Sequence, residues 1–183
     1  MADAMNKIVV IGCSAAGKST VARRPGEALA IEVVHLDKVL WKPHCQLTPP
    51  EEEPQEMREL LRKPRWIIDG NYTASLPMRL RDADTVVLVD FSRWVCMLRA
   101  FKRLFQYWGK TRPTMGAGCP ETFNLNFLKW IWRYPQEERP QLMDQLRDHG
   151  AHARLVHLRT QRQVDRFLAG LAAAPASARA GLA

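Results

Sequence analysis

The sequence predicts an α/β fold: a five-stranded parallel sheet with helices on both faces and a helical and loop lid at its side. Short apolar runs rich in β-branched residues recur at Lys7 to Ile11, Ile31 to Leu36, Trp66 to Ile68, Thr85 to Val89 and Arg154 to Leu158. Stretches of helical spacing separate them, and strands alternating with helices build βαβ units and hence a parallel sheet. The carboxyl ends of these runs carry Gly12, Asp37, Asp69-Gly70 and Asp90, at the sheet edge where such folds bind ligands.

The first run leads directly into a glycine-rich loop, and a helix follows from near Gly17. Arg23-Arg24-Pro25-Gly26 falls inside that helix. An interior proline removes a backbone hydrogen bond at a cost of about 3 kcal/mol, so the helix is expected to kink or stop there. Thr48-Pro49-Pro50-Glu51 has the form of a capping box, with Met57, Leu60 and Leu61 as a short apolar stripe and Pro54 as an interruption. From Ser92 a longer helix carries Trp94, Met97, Leu98, Phe101, Leu104, Phe105 and Trp108, a stripe expected to face the core; Asp90 reads as a cap beside Ser92. Gly109 to Pro120 is an exposed loop. Leu125 to Tyr134 and Gln141 to His149 read as two helices parted by prolines, and Thr160 to Leu171 as a closing helix.

With 183 residues, residues 1–171 are expected to form one domain, with a lid at about 99–120 and an Ala-rich, disordered tail at 172–183. No apolar run approaches a membrane span, and the start lacks the hydrophobic stretch of a signal peptide. The expected location is the cytoplasm, without membrane partners. Cys13, Cys45, Cys96 and Cys119 show no C-x-x-C pair, which argues against a zinc ribbon or a disulfide framework. Cys13 stands apart, because a helix N-terminus beside it can depress a thiol pKa. A net charge of +8 favours polyanionic partners such as nucleotides or nucleic acid, and much of the excess falls between Arg93 and Arg112.

The motif G-x-x-x-x-G-K-[ST] occupies Gly12, Cys13, Ser14, Ala15, Ala16, Gly17, Lys18 and Ser19, between an apolar strand and a helix. There the backbone N–H groups and the helix dipole converge on phosphate oxygens. Lys18 reaches the β- and γ-phosphates, Ser19 ligates Mg²⁺, and Thr20 donates to the α-phosphate. This is the P-loop of ATP-binding NTPases. Phosphoryl transfer also needs a metal and cations that stabilise spreading charge. Asp69 is placed for a Mg²⁺-bound water or for Ser19, and Asp37 for an acceptor hydroxyl or a second metal water; either is placed to act as base. Arg99, Arg103, Lys110 and Arg112 form a one-signed set that a flexible loop can close over the phosphates.

G-C-S-A-A-G-K-S-T, V-V-H-L-D at Val33 to Asp37, W-I-I-D-G-N-Y at Trp66 to Tyr72, G-K-T-R-P at Gly109 to Pro113 and F-L-K-W-I-W at Phe127 to Trp132 together resemble the bacterial DNA topology modulation proteins. That family is similar to adenylate and shikimate kinases in its P-loop fold, and the resemblance runs from about Lys7 to Leu171. It implies ATP binding through Gly12 to Thr20 and a magnesium role for Asp69. It also implies a substrate-side position for Asp37 and Arg79, and lid cations at Arg103 and Arg112.

The reading that follows is a phosphotransferase that uses Mg·ATP to phosphorylate a nucleotide or small molecule. The alternatives are a nucleotide-gated protein that contacts DNA through its basic helix, and a slow ATPase without a dedicated acceptor.

Overall fold

In the computed structural model, which describes residues 5–172, the chain begins with β1 (Lys7–Gly12), α1 (Lys18–Leu29), β2 (Val33–His35) and α2 (Leu36–Leu40). A small hairpin, β3 (Trp41–Lys42) and β4 (Gln46–Leu47), leads to α3 (Glu53–Leu61), β5 (Trp66–Asp69), α4 (Leu76–Asp82) and β6 (Thr85–Val89). Then come α5 (Arg93–Tyr107), α6 (Leu125–Gly150), β7 (Arg154–Leu158) and α7 (Gln161–Ala172). All five predicted runs are strands of one sheet, in the order β2-β5-β1-β6-β7. Every pair in it is parallel.

Side-chain alternation along the strands divides the interior into two layers. Ile8 and Val10 of β1 face Val21, Ala22 and Leu29 of α1, Cys96 and Ala100 of α5, and Val164 of α7. Val9 and Ile11 face Leu36, Leu40, Met57, Leu76 and Leu80 of α2, α3 and α4. Because both faces of the central strands are covered, their sequences are apolar without a break, as parallel strands require.

Three helical expectations are corrected. Helix α1 does not stop at Pro25 but continues to Leu29, with Val21, Ala22, Pro25 and Leu29 all buried; packing of that face against the sheet outweighs the lost hydrogen bond. The two helices expected on either side of Pro135 and Pro140 are the single helix α6. Its first half buries Leu128, Ile131 and Tyr134 in one layer and its second half Leu142 and Leu146 in the other, so both layers keep it continuous through the prolines. Pro54 opens α3 instead of interrupting it. Thr48 is no cap: its hydroxyl donates to the Leu40 carbonyl at 2.9 Å, closing the hairpin loop.

The apolar stripe of α5 is turned mostly outward, Met97 alone of its members packing against the core. Cys96 and Ala100 point inward, whereas Trp94, Leu98 and Phe105 are 65%, 70% and 81% exposed. The small residues let the helix lie close to the sheet, and the large ones are left outside. The tail at 173–183 lies outside the described residues. Among the described residues, no helix is long and apolar enough to cross a membrane.

Candidate active site

The turn after β1 is set by a close approach. Gly12 has φ 139°, and a Cβ there would lie 2.1 Å from the Val89 carbonyl oxygen of β6, so only glycine fits. Its N–H donates to Asn71 Oδ1 at 2.9 Å, tying the loop to the segment after β5. Lys18, in the first turn of α1, curls back and donates from Nζ to the carbonyls of Gly12 and Cys13, both at 3.1 Å. Ser19 and Thr20 follow on the same turn. Arg99 of α5 donates to the Ala16 carbonyl at 2.5 Å and to Gln161 Oε1 at 3.0 Å, so it clamps the loop from above. The Cys13 thiol is buried beside that of Cys96; hydrogen bonding between the two and burial push it above the ordinary thiol range, opposite to the activation expected of a helix N-terminus.

Two carboxylates sit at adjacent strand ends. Asp69, only 4% exposed, accepts from His35 Nδ1 at 2.9 Å through Oδ2, while its Oδ1 has no partner. Asp37, in the first turn of α2, accepts from the Tyr72 hydroxyl at 2.8 Å through Oδ1, and its Oδ2 lies 3.5 Å from Arg112 Nη2. Trp41 Nε1 donates to the Tyr72 oxygen at 3.0 Å, completing a chain from indole to phenol to carboxylate. Burial and the Asp37 charge push the Tyr72 hydroxyl well above the usual phenol range, so it acts as a donor.

The segment after α5 folds over Asp37. Gly116 N–H donates to the Asp37 backbone carbonyl at 3.1 Å, and a Cβ on Gly116 would meet Trp41 O at 2.1 Å. Arg103 and Arg112 both converge on Glu121 Oε1, at 3.1 and 2.5 Å from their Nε atoms. Burial and the neighbouring Arg112 charge lower the Arg103 pKa, which Glu121 opposes. Two of the expected lid cations, Arg103 and Arg112, are thus gathered with Asp37 and Glu121. Arg99 lies on the phosphate loop instead, and Lys110 is exposed.

Arg79 departs from the substrate-side position expected of it. Its side chain is fully buried and donates to the carbonyls of Gly70, Asn71 and Tyr72. Burial lowers its pKa to about 9, against the opposing charges of Glu53 and Asp69. It shapes the segment after β5 from beneath, which places Asn71 on Gly12 and Tyr72 on Asp37. Asp90 is likewise no helix cap: it accepts from Arg139 Nε and Nη2 at 3.0 and 2.9 Å and from His157 Nε2 at 2.8 Å. A cavity of about 210 Å³ opens beside Asn71 and Tyr72, between α3 and α6.

No family model and no curated protein matches the chain. Solved structures do. Shikimate kinase from Acinetobacter baumannii in complex with shikimate aligns with a TM-score of 0.61 at 15% identity, over 91% of this chain and 90% of that one. Shikimate kinase from Bacteroides thetaiotaomicron gives 0.53 at 14%, over 92% and 96%. A gluconokinase from Sinorhizobium meliloti 1021 gives 0.50 at 18%, over 92% and 94%. The fold is that of the P-loop kinases. At this depth the likeness extends to the fold, and the narrower resemblance to DNA topology modulation proteins gains no support from it.

Of the two residues expected to meet Mg²⁺, Ser19 lies in the first turn of α1 and Asp69 keeps Oδ1 as a buried oxygen without a donor, which fits a cation. Among the described residues no three His, Cys, Asp or Glu side chains gather as a self-contained metal centre, so phosphate oxygens would have to complete the coordination. Sequence reasoning missed His35, Asn71, Tyr72 and Glu121 as site residues. The first stands two residues before Asp37 and the next two follow Asp69-Gly70, so all three lie at strand ends already singled out. Glu121 carried a signal of its own, as the lone acid between Asp90 and Glu137.

Proposed function

We propose that this protein transfers the γ-phosphoryl group of Mg·ATP to the hydroxyl of a small acceptor, with residues 99–120 as its lid. The observation that carries the reading is the meeting of Asp37 with Tyr72 and Arg112 in a segment bonded, through Asn71, to the phosphate loop. Neighbours of this fold named shikimate kinase and gluconokinase are kinases of small molecules, which supports the reading.

Mg·ATP supplies the transferable group and neutralises part of its charge. The loop Gly12 to Thr20 receives the phosphates, and Lys18 exchanges its carbonyl partners for phosphate oxygens. Asp69, oriented by His35, and Ser19 would hold the metal. Asp37, with one oxygen fixed by Tyr72, takes the acceptor's proton through the other. Arg103 and Arg112 stabilise the charge that spreads in the transition state, held ready in an ion-paired cluster so that little reorganisation accompanies closure.

The test is transfer from γ-labelled ATP to a panel of hydroxyl-bearing acceptors, with Lys18→Ala as control. Labelled product lost in the variant supports the proposal. Free phosphate alone, at a rate no acceptor changes, refutes it in favour of a slow ATPase.

A further inference from the structure

The cavity beside the phosphate loop has a one-sided chemistry. Its wall brings together Glu53 from the start of α3, Asn71 and Tyr72 from the segment after β5, and Trp130, Tyr134 and Glu138 from α6. It adjoins the phosphate loop through the Asn71 bond to Gly12, and Tyr134 packs in the same apolar layer as Cys13.

Two residues of this wall carry a polar atom buried without a partner: Glu53, 4% exposed, through Oε2, and Tyr134, 3% exposed, through its hydroxyl. Native interiors seldom leave such atoms unmatched, and each one calls for a reason such as a catalytic role or a bound water or ion. Glu138 is half-buried and has no ion pair among the described residues. The wall holds no Lys, Arg or His. Of the nearby cations, Arg79 acts on Glu53 from beneath the cavity but spends its hydrogen bonds on the carbonyls of the segment after β5, Arg139 is paired with Asp90, and Arg133 with Glu137 at the surface.

A carboxylate or phosphate placed in this cavity would meet two carboxylates and no cation, and would leave Glu53 Oε2 unmatched. A molecule rich in hydroxyl or ammonium hydrogens would satisfy Glu53, Glu138 and Tyr134 together and lay its C–H surface against the Trp130 ring. We infer that this cavity is the acceptor site and that the acceptor is a small polyhydroxylated molecule without an anionic group, an amine-bearing one being held most tightly. This rests on the phosphotransferase reading and names its substrate class.

The test is calorimetric titration of the full chain, in the presence of Mg·ADP, with glucosamine, glucose, shikimate, gluconate and AMP. Glucosamine is expected to bind best, glucose next, and the three anions at least tenfold more weakly. Glu138→Gln should weaken glucosamine about tenfold while changing glucose less than threefold, and Glu138→Lys should bring the anions level with glucose. Glu138 is half-buried and unpaired, so these variants keep the fold, which circular dichroism verifies. Tighter binding of any anion than of both sugars, or silence from all five probes, overturns the inference. Phosphorylation of an anionic acceptor would also overturn it while leaving the phosphotransferase intact, whereas glucosamine binding with no transfer to any acceptor would overturn both the phosphotransferase and the acceptor role of the cavity.

Discussion

Tyr72 donates its hydroxyl hydrogen to Asp37 at 2.8 Å while accepting one from Trp41 at 3.0 Å, so the proposed base is aimed by a residue from a different strand end. Tyr72→Phe removes both bonds and no ring packing. Phosphoryl transfer is expected to fall by about 10- to 100-fold, the range for losing one hydrogen bond to a charged group, with the KM for ATP little changed. Steady-state kinetics decide the matter: a raised KM for ATP with unchanged kcat would detach Asp37 from the chemistry.

Lys18 touches only the carbonyls of its own loop. Lys18→Ala should therefore leave thermal stability within about 0.5 kcal/mol, as for substitutions away from structural features, while reducing transfer by roughly 100-fold or more. Melting curves recorded beside the kinetics separate the two effects; a large drop in Tm would show that the lysine holds the loop as well.

Arg79→Met tests the buried guanidinium. Three carbonyls lose their donor and Glu53 loses its nearest cation, so a loss of about 3 to 5 kcal/mol is expected in urea unfolding. If the variant keeps wild-type stability and instead loses acceptor binding, Arg79 belongs to the acceptor site after all.

Gly116→Ala places a methyl against the Trp41 carbonyl and should stop the lid segment from seating over Asp37. Gly116 is buried against Trp41, so the overlap should cost about 1 to 3 kcal/mol in unfolding while kcat falls about tenfold. Unaltered turnover would mean that this contact is not used in closure.

Asp90 gives the pH dependence. Burial alone would raise its carboxyl, but the bonds from Arg139 and His157 outweigh that and hold it below the ordinary carboxylate range. With a depressed folded value, the unfolded chain protonates first as acid is added, so the contribution is whole above about pH 4 and is lost as pH falls through the folded value. Urea midpoints should drop as the pH falls below about 4, and Asp90→Asn should flatten that slope.

The strands were legible because both faces of the central ones are buried, which writes an unbroken apolar run into the chain, and the phosphate loop because its geometry demands glycine and lysine at fixed spacing. The outward face of α5 was not. Its inward residues are the small Cys96 and Ala100, and a periodicity argument weights Trp94 and Phe105 above them. Arg79 was misplaced for a related reason: charge in a sequence suggests a ligand, whereas three carbonyls of one tight segment bind the guanidinium just as well. The continuity of α6 depends on two layers of core that no local window contains.

The sheet order also bears on how the molecule is made. β1 pairs with residues 66–69 on one side and 85–89 on the other, and Arg99 seals Ala16 from 83 positions away. Contacts this distant in sequence form slowly, because the chain between them must be ordered first. During synthesis the phosphate loop is made before its partners, and its Gly12 turn cannot close against Val89 until the intervening residues have been added. The phosphate loop thus reaches its working shape only after the segments that close it, residues 85–99, have been made and folded against it.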